Sequence, residues 1–105
     1  MKKLMFLFLL APAVLMAGPK VKIKIRTSAI CEMCKERIEK NLTLSKGVKR
    51  AELDLNDKVV TVTYDVSKTT FEAVKKAITE VGYDADEAVA DAKGYEKLPS
   101  CCKKK

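Results

Sequence analysis

The sequence of 105 residues predicts an α+β fold, a ferredoxin-like βαββαβ sandwich with a four-stranded antiparallel sheet and two helices on one face. Three observations support this prediction. Residues 20–26 alternate apolar and basic side chains, residues 48–64 have the pattern of two strands around a tight turn, and two segments have helical periodicity. Together with a weaker strand pattern after the second helix, these segments form two similar halves of a split βαβ unit.

Residues 1–17 precede this pattern and predict a secretory signal peptide. Two lysines stand before an apolar run from Leu4 to Met16, and Ala17-Gly18 supplies a small-residue cleavage site. The run is shorter than the roughly 20 apolar residues that a spanning helix needs. Because Leu15 is large for its place before the cut, the cut can shift or the segment can stay as an anchor. We expect an exported, periplasmic protein with no membrane span after cleavage, a domain at residues 18–89 and a Cys-Cys and Lys-rich tail at residues 90–105.

The first strand and the first helix are predicted from two different repeats of apolar side chains. Val21, Ile23 and Ile25 alternate with lysines and an arginine, as in a strand with one buried face. From about residue 31 to residue 44 the apolar side chains recur at steps of four, as in an amphipathic helix. These side chains are Cys34, Ile38 and Leu42, and Gly47 ends the segment.

A hairpin and a second helix complete the repeat. Strands are predicted at residues 48–55 and 59–64, joined by Asn56-Asp57. The second helix begins at an apparent capping box, Thr69 with Glu72, and stops at Gly82. A weaker last strand is predicted at residues 83–89, beside the first strand. There Asp84 and Asp86 would face the basic residues Lys22, Lys24 and Arg26.

Four cysteines form two close pairs, Cys31 with Cys34 and Cys101 with Cys102. Exported proteins ordinarily use cysteines in disulfides, but a bridge between close neighbours constrains little chain entropy. Cys31 and Cys34 stand where the first strand ends and the first helix begins, and a helix N-terminus stabilises a thiolate. The pair can therefore bind a soft metal ion or form a disulfide.

Two thiolates suit Cu(I) or Hg(II). Zn(II) is disfavoured, because a structural zinc site needs four ligands and the chain has no histidine. A zinc site would need Cys101 and Cys102 or a second molecule. Cys101 and Cys102 are thus candidate additional metal ligands. The alternatives for them are a thiol relay, a disulfide partner, or an oxidised or disordered tail.

The predicted last strand would carry the chain away from the Cys31 turn before the tail begins. Residues 90–100 extend at most about 36 Å at roughly 3.3 Å per residue, so the tail could return only if nearly stretched. Contact of Cys101 and Cys102 with a second protein or a second protomer is at least as easy. Nucleic acid is not an expected partner, because aromatic residues make up only 6% of the chain and the basic run is short.

Residues 21–89 resemble a heavy-metal-associated domain, the family of copper chaperones and of periplasmic mercury-binding proteins. The family motif Gly-Met-Thr-Cys-x-x-Cys aligns with residues 28–34: both cysteines match, while Ser28, Ala29 and Ile30 replace the first three residues. The resemblance implies that Cys31 and Cys34 are the metal ligands. It also implies a carrier rather than an enzyme, whose partner is a metal transporter or another metal-binding domain. A homodimer through a shared metal ion is a further expectation.

Residues 77–85 resemble the end of the family's second helix, where an aromatic or lysine side chain lies near the metal loop. Tyr83 is the candidate for shielding the ion without binding it, and the alternative is a core tyrosine. The leading hypothesis is a periplasmic protein that buffers or transfers Cu(I) or Hg(II) through Cys31 and Cys34. The alternatives are a thiol-disulfide oxidoreductase, which the absence of an aromatic-Cys-Gly-Pro-Cys sequence disfavours, and a disulfide-stabilised interaction domain.

Overall fold

The computed structural model describes residues 18–103, so the predicted signal peptide lies outside the described residues. The chain runs through β1 (Lys20–Arg26), α1 (Glu32–Thr43), β2 (Val48–Asp54), β3 (Val59–Asp65), α2 (Phe71–Glu80) and α3 (Ala92–Glu96), then a 3-10 turn (Ser100–Cys102). Within this part of the chain, every helix is too short or too polar to cross a bilayer. The α+β architecture and the first five predicted elements are confirmed.

The sheet has the order β1-β3-β2, with both pairs antiparallel. The alternating pattern is confirmed by the register, because Val60 of β3 stands opposite both Ile25 and Leu53. At the next position of β3, Thr61 stands opposite Lys24 and Glu52, on the other face. Apolar residues thus share one face of the sheet and polar residues the other.

The two long helices cover the apolar face of the sheet. The steps of four predicted for α1 hold, since its buried residues are Cys34, Ile38 and Leu42. Val74 and Ile78 of α2 are buried in the same core. Burial of one such aliphatic side chain stabilises the fold by about 1.5–3 kcal/mol.

The two long helices end near the predicted glycines, but the N-cap of α2 differs by one residue from the prediction. The N-cap of α2 is Thr70 rather than Thr69: its side-chain oxygen accepts a hydrogen bond from the Ala73 backbone N–H at 3.1 Å. The Thr69 N–H instead donates to the Asp65 carbonyl, so Thr69 belongs to the preceding turn. Gly82 follows the helix with φ +106°, a conformation that glycine adopts without strain.

The fourth strand expected at residues 83–89 is not formed, so the described sheet has three strands. Ala85 and Ala88 exchange two backbone hydrogen bonds of 2.9 Å within their own turn, and Asp86 has φ +53°. These contacts fold the segment onto itself, and only Ala85 forms a bridge to Thr27 after the end of β1. Asp84 and Asp86 were also expected to face the basic side chains of β1 across neighbouring strands, and this pairing does not form. Instead, the Asp86 carboxylate accepts a hydrogen bond from the Arg26 N–H, and the Asp84 carboxylate accepts one from the Ala90 N–H.

The tail returns to the cysteine end of the domain without being stretched. Because the last strand is absent, the chain does not cross the sheet, and the Asp91 N–H already donates to the Thr79 carbonyl in the last turn of α2. Gly94 packs against the backbone of Glu80 and Gly82 so closely that a Cβ atom there would collide with it. Leu98 is buried in the core. The expectation that only a nearly extended tail could reach the first cysteine pair is therefore wrong.

Candidate metal centre

The first cysteine pair lies at the start of α1. Cys31 is the N-cap residue, with extended backbone angles and no hydrogen bond between its side chain and the backbone N–H groups that it could cap. Cys34 lies in the first turn and is fully buried, whereas Cys31 is half-buried. The free N–H groups and the dipole at this helix end favour negative charge on both sulfurs.

The loop before Cys31 is held by hydroxyl groups. The Thr27 hydroxyl donates to the Lys58 carbonyl at 2.8 Å and accepts from the Ala29 N–H at 3.2 Å. The Ser28 hydroxyl accepts from the Asp84 N–H at 2.9 Å. The serine that stands in place of the motif's glycine therefore ties the cysteine loop to the segment after α2. Residue types alone did not single out this link, since hydroxyls are common in loops.

The structure brings all four cysteines together. The Cys31 sulfur lies 3.1 Å from that of Cys34, 3.2 Å from that of Cys101 and 3.4 Å from that of Cys102. The sulfurs of Cys101 and Cys102 are 4.0 Å apart. All four thiols are free, Cys101 is exposed, and Cys102 is only 1% exposed. Cys31 is the centre of the cluster.

The thiols differ in how readily they ionise. Burial opposes the ionisation of Cys31, but hydrogen bonds from the thiols of Cys34 and Cys101 outweigh it and lower the pKa of Cys31 from 9.0 to about 7. Cys101 has a raised pKa, because its thiol donates to Cys31. Burial, and then the contact with Cys34, raise the pKa of Cys102. The first negative charge of the cluster therefore forms on Cys31.

Tyr83 lies beside the thiols of Cys34 and Cys102, and its side chain is fully buried. Burial and the neighbouring thiols of Cys102 and Cys34 raise the pKa of its hydroxyl, so Tyr83 stays neutral. Among the described residues, no atom stands at hydrogen-bonding geometry to that hydroxyl. A buried hydroxyl without a hydrogen-bond partner destabilises the folded state. Tyr83 is thus a core residue whose polar end faces the thiols.

The rim of the site is apolar on one side and acidic on the other. Ile30 and Met33 are 40% and 46% exposed. Glu32 begins α1 beside the cysteines. Lys35, the basic residue nearest to them in the helix, forms an ion pair of 2.6 Å with Glu39. The thiolates therefore depend on the helix N-terminus more than on Lys35 for stabilisation.

Comparison with known proteins gives a match over the same part of the chain. The profile of the heavy-metal-associated domain family matches residues 26–84, more than half of the chain. That range contains Cys31, Cys34 and Tyr83 and ends before Cys101 and Cys102.

Individual relatives agree with this match. The chain is 46% identical to the copper chaperone CopZ of Staphylococcus epidermidis over 54 residues, which are 51% of this chain and 79% of CopZ. It is 37% identical to the periplasmic component of the mercuric transport protein of Shewanella putrefaciens over 81 residues, 76% of this chain and 88% of the relative. A solved structure of a CopZ metallochaperone superposes with a TM-score of 0.60 at 32% identity, covering 62% of this chain and 98% of that one.

Proposed function

Because the chain belongs to the heavy-metal-associated domain family, we propose that it is a carrier that binds Cu(I) or Hg(II) through the thiolates of Cys31 and Cys34. The observation that carries this proposal is the contact of the two sulfurs, 3.1 Å apart at the N-terminus of α1 with Cys31 accessible from solvent. Both ions are soft and favour thiolate ligands. The proposed role is buffering or transfer of the ion, not catalysis.

Transfer proceeds by exchange of ligands. Cys31 and Cys34 release their protons as they bind the ion, and the helix N-terminus offsets the negative charge of the thiolates. An incoming thiolate from a partner approaches on the side of Cys31, because Cys34 is buried. The ion then passes through a three-coordinate intermediate without release into solvent. Tyr83 closes the core side of the site and excludes water there.

The proposed partner is the metal-binding domain of a transporter. Related chains include a copper-exporting P-type ATPase of Staphylococcus saprophyticus, 36% identical over 70 residues that are 9% of that protein. Ile30 and Met33 flank the site as exposed apolar side chains, and a partner can cover them on docking. The predicted signal peptide and the similarity to a periplasmic mercuric transport component support a periplasmic location.

Anaerobic titration of the reduced protein with Cu(I) and with Hg(II) tests the proposed function. The Cys31→Ser/Cys34→Ser variant should lose tight binding of both ions, because serine hydroxyls are poor ligands for soft metals. Met33→Ser is the matched control, since it changes an exposed residue between the two cysteines and should leave the affinity unchanged. If the double variant binds as tightly as the natural sequence, the proposal is wrong. Catalytic reduction of insulin disulfides by the metal-free protein would instead favour an oxidoreductase.

A further inference from the structure

We propose that Cys101 and Cys102 bind the same ion as Cys31, so that the protein's own tail closes the metal site with at least three thiolates. This inference rests on the proposed function and extends it: the tail is an internal ligand that a partner's thiols must displace. Each thiol that joins the ion releases its proton to solvent, and no electron is transferred.

The spacing of the sulfurs is the first argument. With a metal–sulfur bond of about 2.3 Å, two sulfurs on opposite sides of an ion are about 4.6 Å apart, and three or four around it are about 3.8–4.0 Å apart. The sulfurs of Cys31, Cys101 and Cys102 all lie within 4.8 Å of one another, and those of Cys101 and Cys102 are 4.0 Å apart. The sulfurs of Cys31 and Cys34, at 3.1 Å, are closer than linear coordination allows. The sulfurs of Cys31, Cys101 and Cys102 therefore need smaller movements to bind one ion together than those of Cys31 and Cys34 need for linear coordination.

The docking of the tail is the second argument, because several independent contacts fix it. Asp91 caps α3 by accepting from the Gly94 N–H at 2.9 Å, and Gly94 packs on the backbone at the end of α2. Leu98 and Cys102 are 5% and 1% exposed. The 3-10 turn that carries both tail cysteines lies against α1. These packing contacts of the tail therefore hold Cys101 and Cys102 next to Cys31.

Tyr83 supplies an observation that points to a ligand. Its hydroxyl is buried, faces the thiols of Cys34 and Cys102, and lacks a hydrogen-bond partner among the described residues. Deprotonation of the thiols on binding an ion turns them into strong acceptors for this hydroxyl. A thiolate of Cys34 or Cys102 would then accept a hydrogen bond from the Tyr83 hydroxyl.

The tail ligands change how the ion leaves. Cys101 is exposed whereas Cys102 is only 1% exposed, so Cys101 is the tail thiol that a partner can displace most easily. Once the bonds of the ion to Cys101 and then to Cys102 are broken, the ion is held by Cys31 and Cys34, from which transfer proceeds. The closed form holds the ion more tightly and the open form passes it on. The family match ends at residue 84, so the segment with these ligands lies outside the matched residues.

The first experiment counts the ligands. Hg(II) is added anaerobically at one equivalent to the reduced protein, and X-ray absorption measures the sulfur atoms bound to mercury. We expect three or four sulfurs in the natural sequence and two in the Cys101→Ser/Cys102→Ser variant. That variant should bind Hg(II) at least about tenfold more weakly, since the loss of an indirect contact already costs 10- to 100-fold. Lys103→Ser, the neighbouring tail residue, is the control. Two sulfurs and equal affinity in both proteins would overturn the inference.

A second variant moves the tail while keeping every cysteine. Gly94→Val places a side chain against the backbone of Glu80 and Gly82 and should undock the tail. It should show the same lower sulfur count as the tail-cysteine variant, whereas Lys93→Ala, an exposed change in the same short helix, should not. Thermal unfolding checks that Gly94→Val remains folded. A natural sulfur count in a folded Gly94→Val protein would contradict the role of docking.

The outcomes separate this inference from the proposed function. Loss of binding in Cys31→Ser/Cys34→Ser with normal binding in the tail variant leaves the carrier function standing and overturns the tail's role. Normal binding in Cys31→Ser/Cys34→Ser overturns both. A metal-loaded dimer that becomes monomeric in the tail variant would assign Cys101 and Cys102 to a second protomer and overturn closure within one chain.

Discussion

Cys31 connects the two cysteine pairs, because its sulfur contacts those of Cys34, Cys101 and Cys102. Its position follows from the sequence, at the start of a predicted helix. Its three thiol neighbours do not, since two of them are about 70 residues away along the chain. Cys31 thus belongs both to a cysteine pair that is visible in the sequence and to a cluster of four cysteines that forms only on folding.

The low pKa of Cys31 predicts its reactivity. In the reduced, metal-free protein, the rate of Cys31 alkylation by iodoacetamide should rise with a midpoint near pH 7 rather than 9.0, because hydrogen bonds from neighbouring thiols outweigh the cost of burial. The same shift stabilises the fold as the pH rises from about 7 to 9, where folded Cys31 has lost its proton and unfolded Cys31 still holds it. Peptide mass spectrometry after timed alkylation gives the midpoint.

The matched variant for this measurement is Cys101→Ala, which removes one hydrogen-bond donor to the Cys31 thiolate and should move the midpoint upward. A midpoint close to 9 in the natural sequence would contradict the described geometry of the cluster.

Tyr83→Phe separates stability from metal binding. Phenylalanine removes a buried hydroxyl without a hydrogen-bond partner, so the free energy of unfolding of the metal-free protein should stay equal or rise by up to about 1 kcal/mol. Affinity for Hg(II) should fall about tenfold, because the hydroxyl no longer orients a thiolate. Urea denaturation and anaerobic titration measure the two quantities.

Tyr64→Phe provides the comparison, since Tyr64 lies opposite Val21, at the end of β3 away from the cysteines. It should not alter Hg(II) affinity. Equal Hg(II) affinity in Tyr83→Phe and the natural sequence would show that Tyr83 acts only as a core residue.

At the level of elements, the sequence is informative where one face of a segment is buried. In β1, α1 and α2 the apolar side chains recur with the period of the strand or helix. Residues such as Ile25, Ile38 and Ile78 therefore lie on the buried face of their element. Residues 83–90 lack such a repeat. Their path depends on Asp86 in a left-handed conformation and on its hydrogen bond to the Arg26 N–H, which joins positions 60 residues apart.

Substitution of Asp86 should measurably lower the free energy of unfolding. Asp86→Ala should lower the free energy of unfolding by about 1 kcal/mol, because alanine loses the 2.9 Å hydrogen bond to the Arg26 N–H and fits φ +53° poorly. Asp86→Asn should cost less, since asparagine keeps an acceptor and tolerates that conformation. Urea denaturation of both variants checks this order, and an equal or larger loss for Asp86→Asn would contradict it.

For the molecule as a whole, the tail contributes Leu98 and Cys102 to the core and lies outside residues 26–84, which match the family. Removal of residues 90–105 should leave a folded domain, because a CopZ structure that matches only 62% of this chain is itself almost fully covered. The truncated protein should lose about 2–3 kcal/mol of unfolding free energy, mainly from the burial of Leu98. Circular dichroism and urea denaturation measure fold and stability.

Leu98→Ala in the full chain should reproduce most of that loss, since it removes the same buried side chain but keeps the rest of the tail. A truncated protein as stable as the natural sequence would mean that the tail does not dock in solution.

The sequence by itself determined the first three strands, the two long helices and the Cys31–Cys34 pair at a helix start, because periodicity and helix ends are local properties of the chain. Only the tertiary structure decided that the sheet has three strands and that Cys101 and Cys102 lie beside Cys31. The reason is physical: the turn around Asp86 and the contact of Gly94 with the end of α2 depend on groups distant in sequence. Those contacts direct the tail, and the tail completes the cluster of four thiols.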